Sequence, residues 1–362
     1  MEKIDYFSTV PDPRVKGRCK HKLSDILIIA IATYLCGGDD YASMYEFCKH
    51  RGESLKPLVE LPNGCPSVDT IERVISRIDP TAFAKCLSVF GNTLVDDLKG
   101  KLVSIDGKRI RGSKSSNSCT HILSAWVDEH TISIAGKAVE EKSNEITAIP
   151  DVLDSIDLTG AVVSIDAMGT QTDIAQMIVE SEADYVLALK RNHRHLSEDV
   201  KDAFTGRYTQ FIYSTLDKDH GRVEERIYTA LRPQEVLDES QYESWKNLSS
   251  LVQVERLVTF SDGTERRDKQ YYLSSLPAEA VERIGTYIRG HWGIENRLHW
   301  HLDVTFREDH CRARKVYAAQ NLNTIRKLAL AIVSQRKDKL SIRKRLFTAA
   351  LNIDYLKELL EI

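Results

Sequence analysis

The sequence predicts an α/β protein with a helical N-terminal region, an α/β core that carries a mainly β insertion, and C-terminal helices. Three observations predict this fold class. Residues 1–100 show helical periodicity, and β and helical segments alternate over residues 101–206. Residues 207–276 have strand composition with turn residues between the strands, and helical patterns resume over residues 277–362.

The N-terminal region is predicted to contain an amphipathic helix before residue 80. Its buried stripe consists of Ile71, Val74, Ile75 and Ile78. Arg73 and Arg77 would face outward, and Asp79-Pro80 would begin the next helix as its N-cap and first residue. The two arginines are compatible with a DNA-contacting helix and equally with an ordinary surface helix, so DNA binding by residues 1–100 is a hypothesis.

The core is predicted to contain five strands and three helices. The strands are Leu102–Asp106, His121–Asp128, Thr131–Val139, Ala161–Asp166 and Asp184–Leu189, and the helices are Thr147–Ile156, Gln171–Glu182 and His195–Phe204. Three strands followed by helix, strand, helix, strand, helix is the order of an RNase H-like core, in which the first strand lies beside the fourth. The insertion is predicted to add strands Phe211–Thr215, Arg222–Ala230, Leu251–Thr259 and Lys269–Leu273.

Charge is distributed unevenly along a chain whose net charge is only −3. Residues 281–345 hold 15 Lys and Arg against 6 Asp and Glu, which suits a basic face for a polyanion. A solvated helical surface explains the cluster equally well. Seven cysteines without a C-x-x-C pair and a polar start at Met1–Asp5 predict a cytoplasmic protein. The most apolar stretch, Ile26–Cys36, is too short to cross a membrane.

The tetrapeptide Val-Ser-Ile-Asp occurs twice, at Val103–Asp106 and Val163–Asp166. Each copy closes a predicted strand on an aspartate. Neighbouring strands that each deliver a carboxylate at one end can build a metal site, so a third carboxylate is expected elsewhere in the chain.

Glu295 is the best candidate for that third carboxylate. Read as one helix, its segment places Glu295 on an apolar face with Ile284, Ile288, Trp292, Leu298 and Leu302. An unpaired carboxylate there is costly, which a metal ion or a cationic partner would offset. A structural glutamate paired with Arg289 or Arg297 is the alternative reading. Other candidate third ligands are Asp303, Glu308 and Asp309.

Three oxygen ligands suit Mg²⁺ or Mn²⁺. Two such ions can support phosphoryl transfer without a protein nucleophile. Neither a Walker A loop nor a G-x-G-x-x-G motif is present, so the sequence does not support nucleotide hydrolysis. Four nearby residues could suggest zinc, but their spacing matches no standard structural zinc pattern. They are His299, His301, His310 and Cys311.

The order Asp106, Asp166, Glu295, with a β insertion before the glutamate, resembles the catalytic triad of DDE transposases. The blocks 104–113 and 291–296 resemble one branch, the H-repeat-associated (ISAs-type) insertion-sequence transposases, and this similarity spans nearly the whole chain. The resemblance implies an RNase H-like core, divalent-metal catalysis and binding to element ends. A related Y-x2-R-x3-E-x6-K signature is not matched, because this chain has Ile288, His291 and Leu302 at those positions.

DNA contacts are expected from cations and an aromatic ring near the three carboxylates. The predicted residues are Lys108, Arg109, Arg111, Lys190, Arg191, His291, Trp292, Arg297, Arg312 and Arg314. Trp126 and Trp292 could stack on an unpaired base, and core packing is the alternative for both.

The predicted function is metal-dependent DNA cleavage and strand transfer at the ends of an insertion sequence. The expected partners are double-stranded DNA, as element ends and target, and further copies of the chain in a homodimer or higher synaptic assembly. No membrane is expected, and the protein would work in the cytoplasm on the nucleoid. Two alternatives stay open: a nuclease with the same core but no strand transfer, and a catalytically silent DNA-binding remnant.

Overall fold

The computed structural model describes residues 7, 9–15, 17–56, 58–114, 119–139, 144–219 and 221–361. The polar start at Met1–Asp5 lies outside these residues. The chain divides into two compact units that alternate along the sequence. The sheet unit is Leu98–Asp106 and Glu145–Gly293. The helix-rich unit is Met1–Asp97, Gly107–Asn144 and Ile294–Ile362.

Helices and strands are numbered along the whole chain. The α-helices are α1 Leu23–Leu35, α2 Tyr41–Arg51, α3 Val68–Ile75, α4 Pro80–Leu94, α5 Glu145–Leu153, α6 Thr172–Glu180, α7 Arg194–Ala203, α8 Glu239–Glu243, α9 Val281–Gly293, α10 Ala318–Ser334, α11 Ile342–Leu351 and α12 Ile353–Leu360. The strands are β1 Leu102–Arg109, β2 His121–Val127, β3 Ile132–Val139, β4 Val162–Ile165, β5 Asp184–Leu189, β6 Phe211–Asp219, β7 Arg222–Leu231, β8 Ser250–Phe260 and β9 Glu265–Ser274.

In the sheet unit, seven strands lie in the order β1-β4-β5-β9-β8-β7-β6. β4 lies between β1 and β5 and pairs in parallel with both. Parallel neighbours cannot be joined by a tight turn, so longer connections link these strands. The four insertion strands are antiparallel, and β9 pairs with β5 from Val186↔Ser274 to Leu189↔Tyr271. The predicted insertion therefore extends the core sheet of this unit. α9 packs on that sheet through Ile284 and Ile288, which lie in its apolar core cluster.

In the helix-rich unit, β2 and β3 form an antiparallel hairpin next to the end of β1. The predicted burial is confirmed, because Ile71, Val74 and Ile75 of α3 and also Ile78 are all fully buried, but Ile78 lies beyond the end of the helix. α3 ends at Ile75. Asn321 Nδ2 of α10 donates hydrogen bonds to the carbonyl oxygens of Ile75 and Ile78, at 2.7 and 2.9 Å, and so satisfies backbone acceptors at that helix end.

The cap that was predicted for α4 is also confirmed. The carboxylate of Asp79 accepts a hydrogen bond from the Ala82 backbone N–H at 2.7 Å, and Pro80 is the first helical residue. This is the favoured arrangement for a helix N-terminus, since proline lacks the N–H that would otherwise be left without an intrahelical partner.

The predicted α/β fold class is confirmed, including β1 beside the parallel β4, the β2–β3 hairpin and the β-rich insertion. Several boundaries were wrong. β1 continues past Asp106 to Arg109, β6 continues past Thr215 to Asp219, and β9 begins at Glu265 instead of Lys269. The segment around Glu295, read as one helix, changes at Ile294 into π-helical segments, Ile294–His299 and His301–Thr305. The boundaries at 100, 206 and 276 stay a prediction. No helix in the described ranges has the length and apolar character to span a membrane.

Candidate metal and DNA site

The two Val-Ser-Ile-Asp copies lie side by side in the sheet unit. β1 and β4 pair in register, Val103 with Val163 and Ile105 with Ile165. Asp106 and Asp166 are the next residues along these parallel strands, so both leave the paired region at the same edge of the sheet. Parallel neighbours are about 4.8 Å apart, which is a spacing that two carboxylates can bridge through one cation. Both aspartates are half-buried.

Asp166 is held in place by the turn that follows it. Its Oδ1 accepts hydrogen bonds from the backbone N–H groups of Met168, at 3.0 Å, and Gly169, at 3.4 Å. A Cβ at Gly169 would collide with Ile165 and come within 2.6 Å of Ile149 Cδ1, so the turn packs too closely for a side chain. The carboxylate therefore has a fixed direction before any ligand binds.

The loop after β5 lies at the same edge and brings basic residues to it. Lys190 and Arg191 are exposed there. Their loop is tied to the turn after Asp166, because Asn192 Nδ2 donates to the Ala167 carbonyl oxygen at 2.6 Å and His193 Nε2 lies 2.7 Å from the Thr170 carbonyl oxygen. The sheet unit thus joins two carboxylates and two exposed cations at one edge.

Glu295 belongs to the helix-rich unit, in the π-helical segment Ile294–His299. Its predicted burial was wrong, because Glu295 is exposed while Leu298 is fully buried. Trp292 is also 41% exposed, so core packing was the wrong alternative for this ring. Trp292 lies in α9, before the π-helical segment, so the change of helix type does not account for its exposure, whereas Leu298 and Leu302 are buried as the α-helical spacing predicts.

The other candidate third ligands surround Lys108 in the helix-rich unit. Lys108 Nζ lies 2.7 Å from Asp303, 3.3 Å from Glu308 and 3.4 Å from Asp309. Lys108 is only 8% exposed, so its predicted contact with a DNA phosphate was wrong. Burial alone would lower the pKa of Lys108, but attraction to Glu308, Asp303 and Asp309 raises it above its usual value.

Glu308 is the centre of a buried ion cluster that sequence reasoning missed. It is fully buried, and its Oε1 accepts from Asn323 Nδ2 at 3.0 Å and from Arg326 Nη1 at 3.3 Å. The Arg326 guanidinium also lies 5.1 Å from the centre of the Tyr34 ring. The sequence signal for this cluster was a set of polar residues within the otherwise apolar α10. The structure buries these polar residues.

Two predicted DNA-contacting groups come together in the helix-rich unit. Arg314 Nε donates to the Gly112 carbonyl oxygen at 3.2 Å, and the Arg111 backbone N–H donates to Asp309 Oδ1 at 3.0 Å. A Cβ at Gly112 would collide with the Cys311 carbonyl oxygen, so these two segments are in close contact. The side chains at 109, 111, 312 and 314 are all exposed, and we call them the arginine group.

Three further predicted contacts have different environments. His291 in α9 is partly buried, and its Nδ1 lies 2.8 Å from Ser164 Oγ. Burial, and then the positive charge of Lys190, lowers the pKa of His291 to about 4. Arg297 is exposed, with Nη1 at 3.4 Å from the Asp128 carboxylate. Trp126 is fully buried, which confirms its core role.

The donor set at the sheet edge fits a hard divalent cation, since two carboxylates provide oxygen ligands. Over the residues that the structure describes, no group of three or more His, Cys, Asp or Glu side chains is arranged to hold a metal ion. Asp106 and Asp166 therefore bring two carboxylates, each a potential oxygen ligand, to one edge of the sheet unit.

Comparison with known proteins identifies the family. A model of the transposase DDE domain matches residues 97–332, and a model named DDE_Tnp_1-associated matches residues 4–90. The chain is 36% identical to "Putative transposase YncI" of Escherichia coli O157:H7, over 99% of this chain and 94% of that protein. It is 32% identical to "H repeat-associated putative transposase YhhI" of Escherichia coli K12, over 99% and 97%.

Among solved structures, the chain is similar to the piggyBac transposase in a synaptic complex with hairpin DNA. The TM-score is 0.45 with 13% identity, over 94% of this chain and 72% of that one. The chain belongs to the family of DDE-domain transposases, in the branch that contains the H repeat-associated proteins.

Proposed function

We propose that this protein is an active transposase whose Asp106, Asp166 and Glu295 hold divalent metal ions, Mg²⁺ or Mn²⁺, against DNA. The observation that carries the proposal is the register of β1 and β4, which puts Asp106 and Asp166 at one edge of the sheet. Glu295 is the proposed third ligand because of the resemblance of its segment to the family motif. When bound, the metal ions would neutralise the charge that develops on the reacting phosphate.

The side chains of the chain itself would bind and orient the DNA. Lys190 and Arg191 are exposed at the edge that carries the aspartates, where they would pair with backbone phosphates. The arginine group would hold phosphates through planar, bidentate contacts. Trp292 is exposed and would stack on a base. We also propose that the N-terminal helices bind DNA, through Arg73 and Arg77, which are both exposed.

The proposed reaction has two phosphoryl transfers. In the first, a water oxygen bonds to phosphorus at the element end, the bond from phosphorus to the 3′ oxygen breaks, and a 3′-OH is released. In the second, that 3′ oxygen bonds to a phosphorus of target DNA and displaces a target 3′ oxygen. Both element ends must be processed together, so the protein would act as a homodimer or higher assembly, on DNA in the cytoplasm and nucleoid.

A strand-nicking assay tests the proposal. The substrate is a duplex that carries the inverted repeats flanking the gene, incubated with the full chain in Mg²⁺. Asp106→Asn, Asp166→Asn and Glu295→Gln should each lower nicking by at least about a hundredfold, since the amides keep the shape and lose the charge. Glu265→Gln, an exposed position on β9, is the matched control.

The same assay separates the alternatives. Nicking that yields no joined product with target DNA would indicate a nuclease. Binding to the end duplex without nicking in either Mg²⁺ or Mn²⁺ would indicate a silent remnant. Nicking that survives in all three carboxylate variants would contradict the proposal.

A further inference from the structure

Helix α9 is seated closely on the strands that carry the aspartates, within the sheet unit. A Cβ at Gly290 would come within 2.6 Å of Leu102 Cδ2 on β1, and one at Gly285 would come within 3.1 Å of the Tyr228 ring on β7. Tyr287 donates its hydroxyl hydrogen to the Gly100 carbonyl oxygen at 2.9 Å. A side chain at either position would push α9 away from the sheet, so the two glycines allow the close packing.

A chain of polar groups continues from α9 into the sheet toward the aspartates. His291 Nδ1 lies 2.8 Å from Ser164 Oγ, and Ser164 Oγ lies 3.2 Å from Ser104 Oγ. The two serines are 2% and 0% exposed, so neither hydroxyl reaches a substrate. Each serine stands two residues before its aspartate, on the same face of its strand as that aspartate.

The hydrogen count fixes the direction of the chain. Ser164 has one hydroxyl hydrogen, and it donates this hydrogen to Ser104. The contact with His291 then requires the ring to donate from Nδ1, which leaves Nε2 as the acceptor of the neutral imidazole. Each group in the chain therefore has a defined role, and exchanging any one for an apolar side chain leaves a buried partner unsatisfied.

We propose that His291, Ser164 and Ser104 are positioning residues that fix the end of α9 against the strands bearing Asp106 and Asp166. The proposal rests on the proposed function, since it concerns how that site is held. His291 lies four residues before Glu295 in the sequence. Hydrogen bonds that fix the end of α9 therefore also fix the point from which the chain continues to Glu295.

Apolar packing alone would not provide this control. The contacts that α9 makes through Ile284 and Ile288 are non-directional, and such contacts tolerate small sliding and rotation. Hydrogen bonds have narrow distance and angle requirements, so a three-member chain sets both the rotation and the axial position of the helix end. Changes in groups that orient metal ligands typically cost about 10- to 100-fold in metal affinity or activity.

Four variants of the full chain test the proposal: His291→Leu, His291→Asn, Ser164→Ala and the double variant His291→Leu with Ser164→Ala. We expect His291→Leu and Ser164→Ala to lower nicking about 10- to 100-fold while affinity for the end duplex stays within about twofold. The double variant should be no slower than the slower single one, because both break the same chain. His291→Asn should recover part of the rate, since its amide nitrogen can donate near the position of Nδ1.

Ser274→Ala is the matched control. Ser274 is fully buried on β9 and donates to the Tyr185 carbonyl oxygen at 2.8 Å, so its loss removes a similar buried hydrogen bond away from the chain. It should leave nicking within about twofold. If it lowers nicking as much as Ser164→Ala, the effect is general destabilisation and the proposal is overturned.

Binding of Mn²⁺ gives a second readout that does not depend on catalysis. The electron paramagnetic resonance signal of free Mn²⁺ falls as the ion binds, and His291→Leu should weaken binding about tenfold or more, with Asp106→Asn as the reference for a lost ligand. Normal binding and nicking in His291→Leu would overturn the positioning proposal alone. Normal Mn²⁺ binding and nicking in Asp106→Asn would instead overturn the proposed function.

Discussion

The hydroxyl oxygens of Ser104 and Ser164 lie 3.2 Å apart across two parallel strands. This contact exists because the two copies of Val-Ser-Ile-Asp are paired residue for residue. A slip of one residue in either strand would turn its serine to the opposite face and carry its aspartate with it. The register therefore places the two serines side by side. It also places the two aspartates side by side at the edge of the sheet unit.

The tight turn after Asp166 predicts a large effect of a small substitution. Gly169→Ala should lower the free energy of unfolding by about 1–3 kcal/mol, because the added Cβ collides with Ile165 and Ile149. It should also slow nicking, since the Gly169 N–H helps to orient the Asp166 carboxylate. Urea denaturation and the nicking assay measure both effects. Met168→Ala, at an exposed neighbouring position, should change stability by less than about 0.5 kcal/mol. Equal effects of the two substitutions would contradict the account of the turn.

The buried ion cluster predicts a stability effect that is separate from DNA binding. Glu308→Ala should lower the free energy of unfolding by about 3–5 kcal/mol, because it leaves Arg326 and Lys108 buried with less compensation. Glu358→Gln breaks an exposed contact with Arg336 and should cost less than about 1 kcal/mol. Urea denaturation of both variants makes the comparison. A cost for Glu308→Ala as small as that of the surface variant would show that the cluster contributes little.

The exposed and buried cations should respond differently to salt. Arg314→Ala and Arg191→Ala should each reduce the salt dependence of end-duplex binding by about one unit of the log–log slope, as expected for a lost phosphate contact. Lys108→Met should leave this slope unchanged and lower stability, because Lys108 is buried among carboxylates. Fluorescence anisotropy at several salt concentrations measures the slopes. A reduced slope for Lys108→Met would place its ammonium group on DNA and contradict the structure.

His291 predicts a loss of stability in mild acid. In the folded protein, burial and the charge of Lys190 hold the pKa of His291 at about 4, against about 6.5 in an unfolded chain. Between these values the unfolded chain binds a proton that the folded protein does not. The free energy of unfolding should therefore fall as the pH decreases from about 6.5 to about 4, by roughly 2–3 kcal/mol from this residue, and the contribution should be constant outside that window.

The comparison with His291→Asn isolates this effect, since asparagine does not titrate. Urea denaturation at several pH values should show a steeper decline for the parent protein than for the variant between pH 6.5 and 4. The two curves should run parallel above pH 7. Parallel curves through the whole range would show that His291 takes up a proton as readily in the folded protein as in the unfolded chain.

Much of the sheet unit could be predicted from the sequence. Short apolar β-type runs that end on aspartates identified β1 and β4, and the RNase H-like order of strands and helices predicted that they are neighbours. The insertion strands were identified from their turn residues. Their pairing with β5 was not predicted, since nothing local to β9 specifies a partner so distant in sequence.

The π-helical segment and the ion cluster could not be predicted. An α-helix and a π-helix use similar residues, so nothing in the sequence indicated the change at Ile294 or the exposure of Glu295 just after it. Glu308 and Arg326 are eighteen residues apart, and each charged residue by itself is typical of a surface. Only tertiary contacts reveal that they are buried as a pair.

Replacement of each proposed ligand by cysteine tests the central claim most directly. A thiolate binds Mg²⁺ poorly and accepts softer ions such as Mn²⁺ more readily. Asp106→Cys, Asp166→Cys and Glu295→Cys should each lose nicking in Mg²⁺ and recover a measurable part of it in Mn²⁺. Equal loss in both metals for all three, or full activity in Mg²⁺, would contradict the claim that these side chains hold the metal ions.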